Sequence, residues 1–283
     1  MARLRLGRKG VSEVYATVIL TSVTMSMIVA AVFFAQLNLV AQSEATEFEN
    51  GKASMVSLAQ MIESLRTDKG AAAYTRFSIN SGGLALTPGT ESIRLKVEDD
   101  EKTVVWDLGT VNLIRLRGGG GVSGSFFQVL QGDKSIDAKD DLLDRYVMIR
   151  PNNPGPMGVV YQEWDRGAWV VVDFGRIRVV PSGTSPCTDN GLIWYRVNNV
   201  HITYFKIVWG EFSGSDTFDV CVRVKDVKTY PPEKFYSSEV TVSVERGTAS
   251  NPMHYSDSYS VSSSNVAATL VYLTVVEVEV SVR

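Results

Sequence analysis

Two periodicities divide the chain. From Val14 to Ser43 no side chain carries a charge, and Val, Ile, Leu, Met and Phe recur without favouring one face. Many of these positions, Val14, Thr17, Val18, Ile19, Thr21, Val23 and Thr24 among them, are β-branched and on their own favour a strand. Length decides otherwise, because an unbroken run of this size without Gly or Pro is read as helix. About 20 apolar residues cross the hydrocarbon core of a bilayer, so the pattern predicts a membrane-spanning segment over 14–41. The pattern then changes but stays helical: Phe48, Met55, Leu58, Ile62 and Leu65 form one apolar stripe, with Glu47, Glu49, Lys52, Glu63 and Arg66 elsewhere on the circumference. An amphipathic continuation over 42–68 is expected, ended by Lys69-Gly70. One helix over 11–69 is roughly 85 Å long at 1.5 Å per residue, more than twice the thickness of a bilayer core.

From Tyr74 onward the period is two. "SIRLKVE" sets Ile93, Leu95 and Val97 against Arg94, Lys96 and Glu98, and the chain ends with Val276, Val278, Val280 and Val282 on one face. Between them lie about ten further strand-like runs, separated by clusters such as "NPGP", "PSGTSP" and "TYPPEK". The expected fold class is α+β: a long N-terminal transmembrane helix followed by an all-β, sandwich-like globular head over 70–283. The turn-rich stretch "RPNNPGPMG" (150–158) marks a place where the head divides, or a loop within one large unit.

Charge gives the helix a direction. The chain of 283 residues has a formal net charge of −3, yet Arg3, Arg5, Arg8 and Lys9 all precede Gly10. A chain starting at Val11 therefore carries about −7, with no basic stripe for nucleic acid. Cations ahead of an apolar span stay on the cytoplasmic side, so the head is expected outside. A secretory signal would be cut after a small-x-small site such as Val29-Ala30-Ala31, leaving "VFFAQLNLV" bare at the new terminus.

The stretch "GRKGVSEVYATVILTSVTMSMIVAAVFF" resembles the class III signal and N-terminal helix of the type IV pilin superfamily, in particular archaeal adhesion pilins. The resemblance covers residues 1 to about 45. It implies a leader over 1–10, with Arg8, Lys9, Gly10 and Val11 as the cleavage site of a membrane-embedded prepilin peptidase. The freed helix would leave the bilayer, with the help of membrane assembly machinery, and stack with identical subunits into a cell-surface filament. Glu13 would need a partner inside a dry bundle, such as a neighbouring subunit's new amino group, or would rest at headgroup level. Bacterial members carry their acidic residue two positions later, which leaves that pairing open. Ser22, Ser26 and Ala30 lie four apart, a small-xxx-small ridge that lets helix backbones approach. Three other readings stay open: a membrane-tethered receptor or substrate-binding protein that never polymerises, a minor subunit of an archaellum or pseudopilus, and a secreted hydrolase.

The remaining chemistry is sparse. Cys187 and Cys221 are the only cysteines; in an oxidising compartment they are expected to pair, closing a loop worth roughly 3–4 kcal/mol, the alternative being two unrelated thiols. With His201 and His254 far apart, no metal-ligand spacing arises and no metal or cofactor is expected. Gly119 to Gly124 fits G-x-G-x-x-G, but a strand rather than a helix follows it, so it reads as a glycine-rich hairpin loop. Asp133, Asp137, Asp140, Asp141 and Asp144 read as a solvated acidic loop without EF-hand spacing. No nucleophile or zinc signature occurs, and nothing in the chain asks for catalysis. The five tryptophans, 106, 164, 169, 194 and 209, are expected to pack the sheets or to form a ligand platform.

Overall fold

A computed structural model describes residues 8–65, 68–79, 81–122, 127–189, 193–212 and 217–283, with the side chains of 8–13, 188–189 and 193–194 left undescribed. A single helix, α1, runs over Arg8–Ser64. It ends a few residues before the predicted 68: Ser64 Oγ donates back to Met61 O at 2.9 Å, a local bond that competes with helix propagation. The turn sits at Gly70, whose φ of 92° suits glycine, and its N–H donates to Val224 O at 2.9 Å as the chain enters the first sheet.

The rest is mostly β. The strands are β1 (Ala72–Ser78), β2 (Gly83–Glu98), β3 (Thr103–Arg117), β4 (Gln128–Gln131), β5 (Met148–Ile149), β6 (Val159–Trp164), β7 (Ala168–Asp173) and β8 (Ile177–Asp189). They continue with β9 (Ile193–Phe212), β10 (Thr217–Thr229), β11 (Glu233–Phe235), β12 (Glu239–Gly247), β13 (Tyr255–Ser262) and β14 (Ala268–Val282). One sheet has the order β1-β10-β14-β9-β8-β5, with β11 also on β14; β14 lies parallel to β9, and β5 to β8. The second, β13-β12-β2-β3-β7-β6-β4, is antiparallel throughout. Both sheets draw strands from either side of residues 150–158.

Alternation explains which faces are buried. Val276, Val278, Val280 and Val282 all point inward, as do Ile93, Leu95 and Val97 on β2. Two apolar cores each take residues from both sheets. In one, Val220, Val222 and Val280 of the first sheet meet Leu116, Val170 and Val172 of the second, together with α1. In the other, Val179, Ile202 and Leu273 meet Leu95, Val242 and Val244.

The second half of α1 belongs to that first core. Phe48, Met55, Leu58 and Ile62 of the predicted stripe are buried, Ala59 joins them, and Leu65 packs at the margin. Leu58→Ala is therefore expected to cost about 2–5 kcal/mol of head stability, read from a denaturant midpoint, by leaving a cavity between helix and sheets. Gly51 is also buried, and a side chain there would collide with Leu116, its Cβ falling 2.5 Å from Cδ2.

Two expectations are corrected. The acidic segment is not a plain loop: Lys139–Arg145 form the short helix α2, which buries Leu142 and Leu143. Asp140 accepts from the Tyr255 hydroxyl at 2.7 Å, and Asp133 pairs with Arg145 at 2.9 Å. Cys187 and Cys221 do not form a disulfide. Cys187 on β8 faces Tyr195 of β9, Cys221 on β10 faces Ser281 of β14, and the register between β9 and β14 sets these levels far apart. The offset is about 50 Å along the strands and about 14 Å across them. A disulfide needs Cα atoms within about 7 Å. Replacing both cysteines by Ser is expected to change stability by no more than about 1 kcal/mol, with no response to reductant in a melting experiment.

Candidate functional site: the projecting helix

Every residue from Val14 to Val40 is exposed, so the first half of α1 stands clear of the head for about 40 Å. Among the described residues this is the one helix long and apolar enough to cross a membrane, and none of its apolar window is buried. It is thus unlike the core helix of a soluble protein, whose apolar residues are covered. The bare side chains include Ile19, Leu20, Ile28, Phe33, Phe34 and Leu37.

Four of its hydroxyls, on Thr17, Thr21, Thr24 and Ser26, bond back to carbonyls of the helix. Thr21 Oγ1 donates to Thr17 O at 2.9 Å, Thr24 Oγ1 to Leu20 O at 2.9 Å, and Ser26 Oγ to Ser22 O at 2.8 Å. Such back-bonding removes the cost of placing these groups in hydrocarbon. Ser22, Ser26 and Ala30 do share a face: with Val23 and Met27 they line a shallow groove along the rod. Arg8, Lys9, Gly10 and Val11 continue the helical backbone, as does Glu13; their side chains lie outside the described residues.

The lower half of α1 is held by a collar of glycines. A Cβ on Gly118 would lie 2.9 Å from Phe48, one on Gly119 2.8 Å from Glu44, and one on Gly121 3.1 Å from the Ala41 Cα. Glu44 accepts the Gly121 N–H, and Glu47 accepts Ser81 N–H at 3.2 Å and Ser81 Oγ at 2.9 Å. Nearer the helix end, Glu63 Oε1 accepts Arg178 Nη2 at 2.6 Å and Met157 N–H at 3.1 Å. The glycine-rich motif is not the expected hairpin loop, since β3 pairs with β2 and β7 while β4 pairs with β6; it gives the chain the close approach that lets β3 grip α1. Ser123 and Gly124, which complete the motif, lie outside the described residues.

Sequence reasoning missed the buried charges behind the sheets. Arg246 Nη2 donates to Asp173 Oδ2 at 2.8 Å, Nη1 to Asp173 Oδ1 at 3.1 Å and to Gly175 O at 3.1 Å, and Nε to Glu91 Oε2 at 2.7 Å. Burial alone would push the Asp173 carboxyl up, but the Arg246 guanidinium outweighs it and holds the group below its ordinary value. Burial pushes neighbouring Arg176 down to about 10, which still leaves it charged at neutral pH. No sequence signal joins these residues, which are brought together by strand pairing from distant parts of the chain. Among the described residues no group of three or more His, Cys, Asp or Glu could hold a metal ion.

The tryptophans divide. Trp106 and Trp209 pack against the cores, Trp169 lies under the Arg115 guanidinium at 4.4 Å, Trp164 is 53% exposed, and the Trp194 side chain lies outside the described residues.

No family model matches the chain, and no curated protein or solved structure gives a significant match.

Proposed function

We propose that the chain is the precursor of a type IV pilin-like filament subunit, assembled through its N-terminal apolar helix after removal of residues 1–10. The observation that carries this reading is that one uninterrupted helix is bare and apolar over Val14–Val40 yet locked into the head from Phe48 onward. A removable secretion signal has no need of such a splice. A rod rigidly continuous with its head suits a subunit that first spans the bilayer and later stacks beside copies of itself. In hydrocarbon, helices gain little from apolar burial and associate by close packing, for which the Ser22, Ser26 and Ala30 groove offers a seat. The sandwich-like head would face outward and form the filament surface, where adhesion is its role. The reading assigns it no catalysis.

Mechanical shearing of cells followed by electron microscopy of the released material tests the proposal. Filaments containing this chain are the expected result; recovery only from detergent-extracted membranes would favour a permanent tether for a receptor.

A further inference from the structure

A cleft of about 720 Å³ opens in the head beside the stem of α1. Its floor includes Gly118 and Gly119, the glycines that touch Phe48 and Glu44, and its walls carry Arg117, Arg166, Trp164 and Trp169. Neither Arg117 nor Arg166 has a carboxylate partner among the described residues; Arg117 stacks over Trp169 at 5.7 Å. Arg166 sits in the β6–β7 turn with φ 52°, a left-handed conformation that few side-chain-bearing residues adopt. Carboxylates of the collar and of β6 are engaged elsewhere: Glu44 with the Gly121 N–H, Glu47 with Ser81, and Glu163 with Arg115 at 2.8 Å. Asp165 lies 4.0 Å from Arg115.

The position of the cleft selects its occupant. The bare apolar span ends at Val40, and the collar begins one residue later, at Ala41. With the span in a bilayer, the floor of the cleft, which meets α1 at Glu44 and Phe48, stands about 6–12 Å beyond Val40, at the outer part of the headgroup layer, which adds roughly 5–7 Å on each side of the hydrocarbon core. Trp is favoured at that depth, and Arg pairs with phosphate through charge-assisted bonds.

We propose that the cleft binds the anionic phosphate headgroup of a lipid in the leaflet facing the head, seating the head on the membrane before assembly. Arg117 and Arg166 would take the phosphate oxygens, and Trp164 would lie against the glycerol region. The proposal rests on the membrane-spanning reading of α1.

The test uses the full chain in lipid nanodiscs, either zwitterionic or containing anionic phospholipid, with amide hydrogen exchange followed over residues 82–85 and 117–120. Binding of the headgroup, which stabilises the closed state of these segments, is expected to slow exchange at least about tenfold in anionic discs. The paired change Arg117→Gln and Arg166→Gln should abolish that slowing, and Arg117→Lys with Arg166→Lys should restore part of it. Equal exchange in both disc types would overturn the headgroup site. Equal protection by soluble inorganic phosphate, with the chain in detergent, would overturn the lipid as its source. A chain that enters neither disc would instead remove the membrane reading, and the site with it.

Discussion

Cells carrying Gly10→Val are expected to shed no filaments containing this chain, while the uncut precursor accumulates in the membrane, ten residues longer than the processed form. The change alters the residue that the pilin resemblance places before the cleaved bond, between Gly10 and Val11. What it retains is physically prohibitive. Arg3, Arg5, Arg8 and Lys9 precede the apolar rod, and each cation costs about 2.5–3.5 kcal/mol at the centre of a hydrocarbon-spanning helix. Four of them oppose withdrawal from the cytoplasmic face, and burial in a dry bundle, by about 10–14 kcal/mol. Immunoblotting of sheared and membrane fractions checks the outcome; normal filament yield from the variant would show that leader removal is not the trigger.

The second large effect lies in the head. Asp173→Ala is expected to destabilise it by about 3–5 kcal/mol, because the Arg246 guanidinium, 3% exposed, would lose its bidentate partner inside the fold. The matched surface change Asp133→Ala, which breaks the more exposed pair with Arg145, should cost under about 1 kcal/mol. The acid response follows the same group. Asp173 has a folded-state pKa below its usual 3.8, so its ionised form stabilises the head at any pH above that value. This contribution is lost as pH falls through the depressed folded pKa. Denaturant titrations at stepped pH should show a fall in stability below about pH 4 that is smaller in Asp173→Ala.

How much of this was legible depends on the range of the interaction. Phe48, Met55, Leu58 and Ile62 announce their face by local spacing, and the alternating valines of β14 do the same, so helix, stripe and strands could be read directly. Ala59 adds to the stripe only because the sheets close around it, and Gly51 is tolerated because Leu116 approaches so near. The glycine run was legible as a loop but not as the hairpin expected, because β4 pairs with the distant β6 rather than with β3; its job as a collar was not legible, since Gly118 meets Phe48 from far along the chain. The disulfide expectation failed for the same reason. Two cysteines separated by a modest stretch of sequence occupy opposite levels of one sheet, a fact fixed by the parallel pairing of β14 with β9. Helix α2 hid behind its aspartates, although Leu142 and Leu143 gave it something to bury.

The central claim is that the rod begins its working life at Val11. Intact-mass measurement of the endogenous chain in sheared surface material tests it most directly. The account predicts a polypeptide running from Val11 to Arg283. A chain that still begins at Met1, or one that begins at Val32 after a conventional signal cut, would contradict it.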